Sequence, residues 1–327
     1  MMIFSFPHVV LNELMKQFGP VELICLSFCS KSAHAFVKTF ARIKEVEIRP
    51  SFFYPRYGLC FPGRHFLIRL AFGNDPDFAT AHLQLHHGFE WSLEKYRHMC
   101  TYWPDVVTGC KEVTNYLCNL FKSPVFTFFV GTREALWMLD VGQEQQELKT
   151  RLIIKPFHLN NISARDYSRT MSCHTIESLQ CELTPPQDYR FDGRLPPVRH
   201  LSILYGFWIT REHLLGIESQ SVQLWGSMLS SADVNALLRS WMNGGLPNLK
   251  FLRLNVSSVR FDEDLCVRSE TLKGQISYTW KHDEPVLKFQ SPHLFHIRRD
   301  DNVMATIQLG GDNFIMVVWP DLKEKRV

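Results

Sequence analysis

Four side chains close together in the chain, His82, His86, His87 and Glu90, are the group best able to hold a metal ion. A protein-bound metal needs about four converging ligands, with neutral imidazoles oriented by further hydrogen bonds. The local pattern sets Ala79, Ala81, Leu83 and Leu85 against Thr80, His82 and Gln84, which is that of a half-exposed strand. On such a strand His82 and His86 share a face, while His87 points away or opens a turn with Gly88. The group therefore reads as surface histidines, and no metal or other cofactor is expected. Cys25 and Cys29 lie about one helical turn apart, and Cys173, His174 and Cys181 are close in sequence. Neither set has the second Cys/His pair that a zinc site requires. The chain contains no GxSxG, HExxH or Gly-rich phosphate loop, and Gly310-Gly311 lacks a following Lys-Ser/Thr. No pair of carboxylates is placed for acid–base work. The expectation is a binding protein, not an enzyme.

The stretch most ordered in its punctuation is FPHVVLNELMKQFGPVELICLSFCSKSAHAFVKTF, from Phe6 to Phe40. Ser5 can cap a first helix with Pro7 near its first turn, and Val10, Leu14 and Phe18 recur at helical spacing beside Leu11 and Met15. Gly19-Pro20 stops that helix and starts a second, with Glu22 in the first turn, where acids are favoured. Ser30 or Ser32 can cap a third helix carrying Ala33, Phe36, Val37 and Phe40. A unit of about 40 residues is at the lower size limit for an independent core, so it is expected to dock on something else. Leu23, Ile24, Leu26 and Phe28 add more apolar surface than so short a helix buries within itself.

The opening Phe-Pro, the Leu-rich helix, Pro20-x-Glu22-Leu23, Leu26-Ser27 and Cys29-Ser30-Lys31 together resemble an F-box. The resemblance implies a domain at 5–42 that binds the Skp-type linker of a cullin–RING ubiquitin ligase. It implies linker contacts at Pro7, Val10, Leu11, Leu14, Pro20, Leu23, Ile24 and Leu26. The pattern departs from many F-boxes in having Ser32-Ala33-His34 where they carry a Trp; Phe36 and Phe40 can supply aromatic bulk instead.

Composition narrows the rest. The chain has 327 residues, 45% of them hydrophobic, which argues against disorder and for one small and one larger domain. A net charge of +3, with cations spread among acids, gives no footprint for nucleic acid. No secretory signal and no run of about 18 apolar residues is present, so no membrane partner is expected. Nine cysteines without paired spacing read as reduced thiols and place the protein in the cytoplasm, the nucleus or both.

Beyond the helices, Ala41–Ile48 alternates as a strand, and Arg49–Arg64, rich in Pro, Gly and aromatics, reads as an irregular packing segment. His65–Phe72 is strand-like, and Ser92–Tyr102 fits a short helix or a strand. Asp105–Phe121 is a helix with a broad apolar face, ended by Pro124 before a buried strand at Val125–Val130; Thr132–Leu139 reads as helical. Four short alternating strands then recur at Ile176–Cys181, Val198–Leu204, Ser221–Trp225 and Leu249–Leu254, spaced by roughly 20 to 30 residues. Helices at Ile209–Ile217 and Ser230–Asn243 fall between the later ones. This predicts parallel strands joined by helices, a degenerate leucine-rich-repeat-like region at about 150–256 without a recurring Asn. Strands at Leu272–Trp280, Val286–Phe289, Leu294–Arg298, Val303–Leu309 and Phe314–Trp319, with turn residues at Asp300–Asn302 and Gly310–Asn313, predict an antiparallel β meander at about 270–320.

SSADVNALLRSWMNGGLPNLKFLRLNV (Ser230–Val256), followed by the strands from Phe295 to Trp319, resembles the F-box-associated region of the expanded nematode-type F-box families. Phe121, Ser123 and Pro124 before an apolar strand fit as well. This implies that residues 43–327 form a substrate- or partner-binding region without catalytic residues. The overall expectation is an α/β (α+β) chain: a three-helix F-box, a repeat-like strand–helix region and a terminal meander. The implied role is substrate recognition within an SCF-type ligase, with a Skp-type linker, a cullin behind it and a protein substrate as partners. A repeat-type scaffold that never engages a ligase is the alternative.

Overall fold

The computed structural model describes residues 6–40, 47–51, 56–61, 64–72, 84–86, 98–103, 105–123, 127–130, 151–154, 162–173, 176–256, 259–262, 268–269, 276–278, 287–289 and 294–319, with a few single positions between them. The chain divides into two compact units, Met1–Asn160 and Asn161–Val327.

The first unit opens with α1 (His8–Gln17), α2 (Pro20–Phe28) and α3 (Lys31–Phe40). Pro7 occupies the cap of α1, its carbonyl accepting from Leu11 N at 3.1 Å, so the helix starts later than a Ser5 cap would give. Ser5 itself lies outside the described residues. Gly19 caps α2, and its carbonyl accepts from Leu23 N at 3.0 Å. Of the two candidate caps for α3, Ser30 is the one used, its hydroxyl accepting from Ala33 N at 3.0 Å.

The strands of this unit are β1 (Glu47–Ser51), β2 (Arg56–Phe61), β3 (Arg64–Phe72), β4 (Gln84–His86), β5 (His98–Trp103), β6 (Thr127–Val130) and β7 (Arg151–Ile154), in the spatial order β7-β6-β1-β2-β3-β5-β4. Of Arg49–Arg64, expected to be irregular, the described residues form strands, and in the antiparallel ladder of β1 and β2 Pro50 faces Tyr57 and Leu59 faces Ile48. Prolines and Gly58 obscure the alternation there, but the aromatic and aliphatic residues suit a pleated surface. Of Ser92–Tyr102 the described part is strand. Most of Thr132–Leu139 and of Ala79–His86 lies outside the described residues. Helix α4 (Val106–Phe121) is capped by Asp105, whose carboxylate accepts from Thr108 N at 2.9 Å. It passes close to β5: a Cβ on Gly109 would lie 2.5 Å from the Trp103 ring, so only glycine allows this approach.

The second unit is built on four parallel strands, β8 (Ser178–Cys181), β9 (His200–Ile203), β10 (Ser221–Leu224) and β11 (Phe251–Asn255). They pair in register, so that Leu179, Leu201, Val222 and Leu252 form one buried row and Cys181, Ile203, Leu224 and Leu254 the next. Between the strands come α6 (Arg211–Leu215) and α7 (Ser231–Met242), and ahead of them all α5 (Ala164–Met171). Helix α5 has a largely polar sequence and gives no apolar stripe to read, yet Ser163 caps it and Tyr167 and Met171 are fully buried. Helix α7 follows its sequence closely. Ser230 and Asp233 form a capping box, Val234, Leu237, Leu238 and Trp241 are buried, and Gly244 (φ +84°) turns the chain out.

Three short strands, β12 (Arg268–Ser269) and the paired β13 (Ile276–Tyr278) and β14 (Leu287–Phe289), precede β15 (Leu294–Arg298), β16 (Met304–Gly310) and β17 (Asn313–Trp319). β15, β16 and β17 pair antiparallel in sequence order, and β17 pairs antiparallel with β11. Gly311, at φ +54°, supplies the left-handed residue in the two-residue turn between β16 and β17.

Outside the ladder, the segment between β8 and β9 supplies Tyr189 and Phe191 to an aromatic cluster with Tyr167 and Trp208. The Tyr189 ring lies 4.8 Å from Tyr167 and 5.4 Å from Trp208, and Trp208 Nε1 donates to the Tyr167 hydroxyl at 3.3 Å.

Two expectations follow. Trp241→Ala removes a fully buried indole from α7 and is expected to cost ~3–5 kcal/mol, read from the shift of the urea unfolding midpoint. Burial pushes the Asp233 carboxyl up, but hydrogen bonds from the Ser230 N–H and hydroxyl and the Arg211 guanidinium outweigh it and hold it below its ordinary value of 3.8. A depressed carboxylate stabilises the fold above that value and ceases to do so as pH falls through its lowered one. Asp233→Ala is therefore expected to lower the thermal midpoint at pH 6, by an amount that shrinks as pH falls below 3.8.

Candidate protein-docking sites

The three N-terminal helices share out their apolar residues between an inner and an outer set. Leu11 and Met15 of α1, Leu23 and Ile24 of α2, and Ala33, Phe36 and Val37 of α3 form the inner set. Leu11 is 3% exposed and Leu23 and Ile24 are each 1% exposed, which assigns these three of the eight candidate linker contacts to the core of the helices. The surface holds Pro7 and Val10, with Leu14 and Leu26 half-buried, and Pro20 opens the first turn of α2. Beside them stand three apolar residues that spacing did not single out as contacts: Phe6, Val9 (73% exposed) and Phe28 (51% exposed). An exposed apolar group of this kind on short helices is suited to a partner helix or groove.

The helices are fastened to α4 through Tyr116. Its ring stacks on Phe28 with centroids 4.8 Å apart and 6° between planes, and its hydroxyl meets Ser27. The Ser27 hydroxyl already donates to Ile24 O at 2.6 Å, so Tyr116 is the donor in that pair. His34 Nδ1 lies 3.4 Å from the same hydroxyl, and Lys38 hydrogen-bonds Asn119. Burial raises the Tyr116 pKa, which keeps the phenol protonated for this role. The Phe40 ring meets His8 edge-on at 5.0 Å and Phe36 at 4.9 Å, so these phenylalanines do provide the aromatic bulk of the unit.

The second surface is the outward face of the parallel ladder. Alternation places Gln180, Ser202, Gln223 and Arg253 in one half-buried row, with Glu182, Leu204, Trp225 and Asn255 just beyond it toward the strand ends. The Arg253 guanidinium lies over the Trp225 ring at 4.1 Å, and its Nε and Nη2 donate to Asn313 Oδ1 at 3.3 and 3.2 Å. Leu204 and Tyr205 after β9 and Met228 after β10 are exposed.

Among the described residues no three His, Cys, Asp or Glu converge on a metal position. His86 belongs to β4, whereas His82, His87 and Glu90 lie outside the described residues. The Cys25 thiol is pushed up by burial, by Glu22 and by Cys29, and Cys29 donates to the Cys25 carbonyl at 3.4 Å. Cys181 is buried against Tyr167, its pKa pushed up to about 12. Cys25 and Cys181 are thus protonated packing residues. No helix among the described residues is long and apolar enough to cross a membrane.

Inner and outer positions respond differently to charge. Leu23→Asp is expected to unfold the three-helix unit, seen as lost helicity at 222 nm. Val10→Asp is expected to leave helicity and the unfolding midpoint within ~0.5 kcal/mol of the unsubstituted chain.

The family model for the F-box domain matches residues 3–44, the three helices, and the model described as F-box associated matches residues 196–254, from just before β9 almost to the end of β11. The Skn-1 dependent zygotic transcript 15 protein of Caenorhabditis elegans is 22% identical over 337 residues, covering 95% of this chain and 94% of that protein. No solved structure matches the chain significantly. F-box domains generally bind a Skp-type linker and through it a cullin, and this chain carries an F-box at its N-terminal helices and an F-box-associated segment in its parallel ladder.

Proposed function

We propose that the protein is a non-enzymatic substrate-recognition adaptor of an SCF-type cullin–RING ubiquitin ligase. The observation that carries this reading is the exposed apolar group of the F-box helices, Phe6, Pro7, Val9, Val10 and Phe28, with Leu14 and Leu26 half-buried behind it. Such a surface is costly on a free protein and is accounted for by a linker that covers it. Leu11, Leu23 and Ile24 would then act from beneath, by holding the helices that present it. The second unit takes the protein substrate, and its in-register strands form a leucine-rich-repeat-like ladder whose outward face is the binding surface. The adaptor raises the effective concentration of a substrate lysine near the ligase-bound ubiquitin, so the chain itself needs no catalytic group. The buried thiol of Cys181 fits a reducing compartment, cytoplasm or nucleus.

The test is calorimetric titration of the full chain with a purified Skp-type linker, beside Val10→Asp and Phe28→Asp. The unsubstituted chain is expected to bind. Each substitution is expected to cost ~2 kcal/mol, about thirtyfold in affinity, while the fold persists. A folded chain that does not bind the linker would make the protein a repeat-type interaction scaffold instead.

A further inference from the structure

We propose that the outward face of the β8–β11 ladder, centred on the Arg253–Trp225 pair, seats an acidic segment of a protein partner, with a carboxylate side chain on Arg253 and a neighbouring apolar side chain against Trp225, Leu204 and Tyr205. The inference rests on the adaptor reading only in taking the partner to be a protein.

The first reason is charge. Arg253 is half-buried, and its guanidinium is met by Asn313 and by the Trp225 ring, both neutral. Among the described residues no carboxylate lies within ion-pair distance of it. A guanidinium withdrawn from water gains most from an anion, and its planar fork matches a carboxylate. The acid on this face, Glu182, accepts from Gln180 and follows β8, three strands away, or ~14 Å at the usual strand spacing.

The second reason is preorganisation. Nε and one Nη2 proton are fixed by Asn313 and the guanidinium plane is held by the indole, so Nη1 and the second Nη2 proton form the edge turned to a ligand. The turn after β10 is equally constrained. Gly226 sits at φ +59° with the Leu204 carbonyl 3.2 Å from where a Cβ would be, and Gly206 N donates to Trp225 O at 2.8 Å. Those bonds keep Trp225 beside the exposed Leu204 and Tyr205. In parallel α/β sheets such strand ends are common ligand positions.

The third reason is composition. One arginine among Gln180, Ser202 and Gln223, flanked by apolar groups, is far from the several cations that a phosphate backbone needs. It fits a single carboxylate with an aliphatic or aromatic neighbour.

The experiment uses the full chain and two immobilised pools of nine-residue peptides, randomised except for a central Glu-Leu in one and Gln-Leu in the other. The unsubstituted chain is expected to be retained about tenfold better on the Glu-Leu pool, the worth of one charge-assisted hydrogen bond. Arg253→Gln and Trp225→Leu are expected to abolish the preference, and Arg253→Lys, with the charge but not the fork, to reduce it. Arg298→Gln, an exposed arginine of β15, is expected to keep it. Equal retention on both pools, a preference surviving Arg253→Gln, or one lost equally in Arg298→Gln would overturn the proposal. Should Arg253→Gln not fold, Arg253→Lys and Trp225→Leu decide the matter. The same preparations are titrated with the Skp-type linker. A chain that prefers Glu-Leu without binding the linker would sink the ligase role and uphold the acidic-segment site; the reverse result would sink the site alone.

Discussion

A strand of four residues cannot bury its own side chains, and the second unit is organised around that constraint. β8, β9 and β10 each contribute two inward residues, and in-register parallel pairing joins these into continuous buried rows with those of β11. Everything between the strands serves to return the chain at the right height for the next one. The capping boxes at Thr210 and Ser230 each satisfy two backbone N–H groups at their helix starts, and Gly244 lets the chain leave α7. β17 then completes the hydrogen bonding of β11 from its far side, antiparallel, so the parallel ladder gives way there to the meander.

The F-box helices meet the same shortage of core by another route. Three helices of nine or ten residues bury Leu11, Met15, Leu23, Ile24, Phe36 and Val37 among themselves and still leave apolar surface over. Tyr116 of α4 takes up part of it, stacking on Phe28 and donating to Ser27. Phe6, Val9 and Val10 remain at the surface.

The sequence made some of this legible and hid the rest for identifiable reasons. Strand and helix positions in the ladder could be read because alternation and capping residues agreed, most clearly at α7. Burial on α1 was harder to read. Val10, Leu14 and Phe18 carry the helical spacing, yet Leu11 and Met15 face inward, since on a ten-residue helix two adjacent apolar stripes are equivalent until neighbours choose one. Leu23 and Ile24 looked like surplus surface because the third helix that covers them lies later in the chain. Helix α5 was invisible because its buried residues, Tyr167, Thr170 and Met171, are set among charges. The Arg253–Trp225 pair lies 28 residues apart in the chain, and only strand register brings it together.

The alternation of the ladder has a further consequence. Inward residues on each strand specify the architecture, while outward ones, such as Gln180, Ser202, Gln223 and Arg253, contribute little to that core. Architecture and outward surface are thus written in interleaved, nearly independent positions. Outward residues of such a ladder can be exchanged one at a time, with each intermediate still folded and the N-terminal helices unchanged.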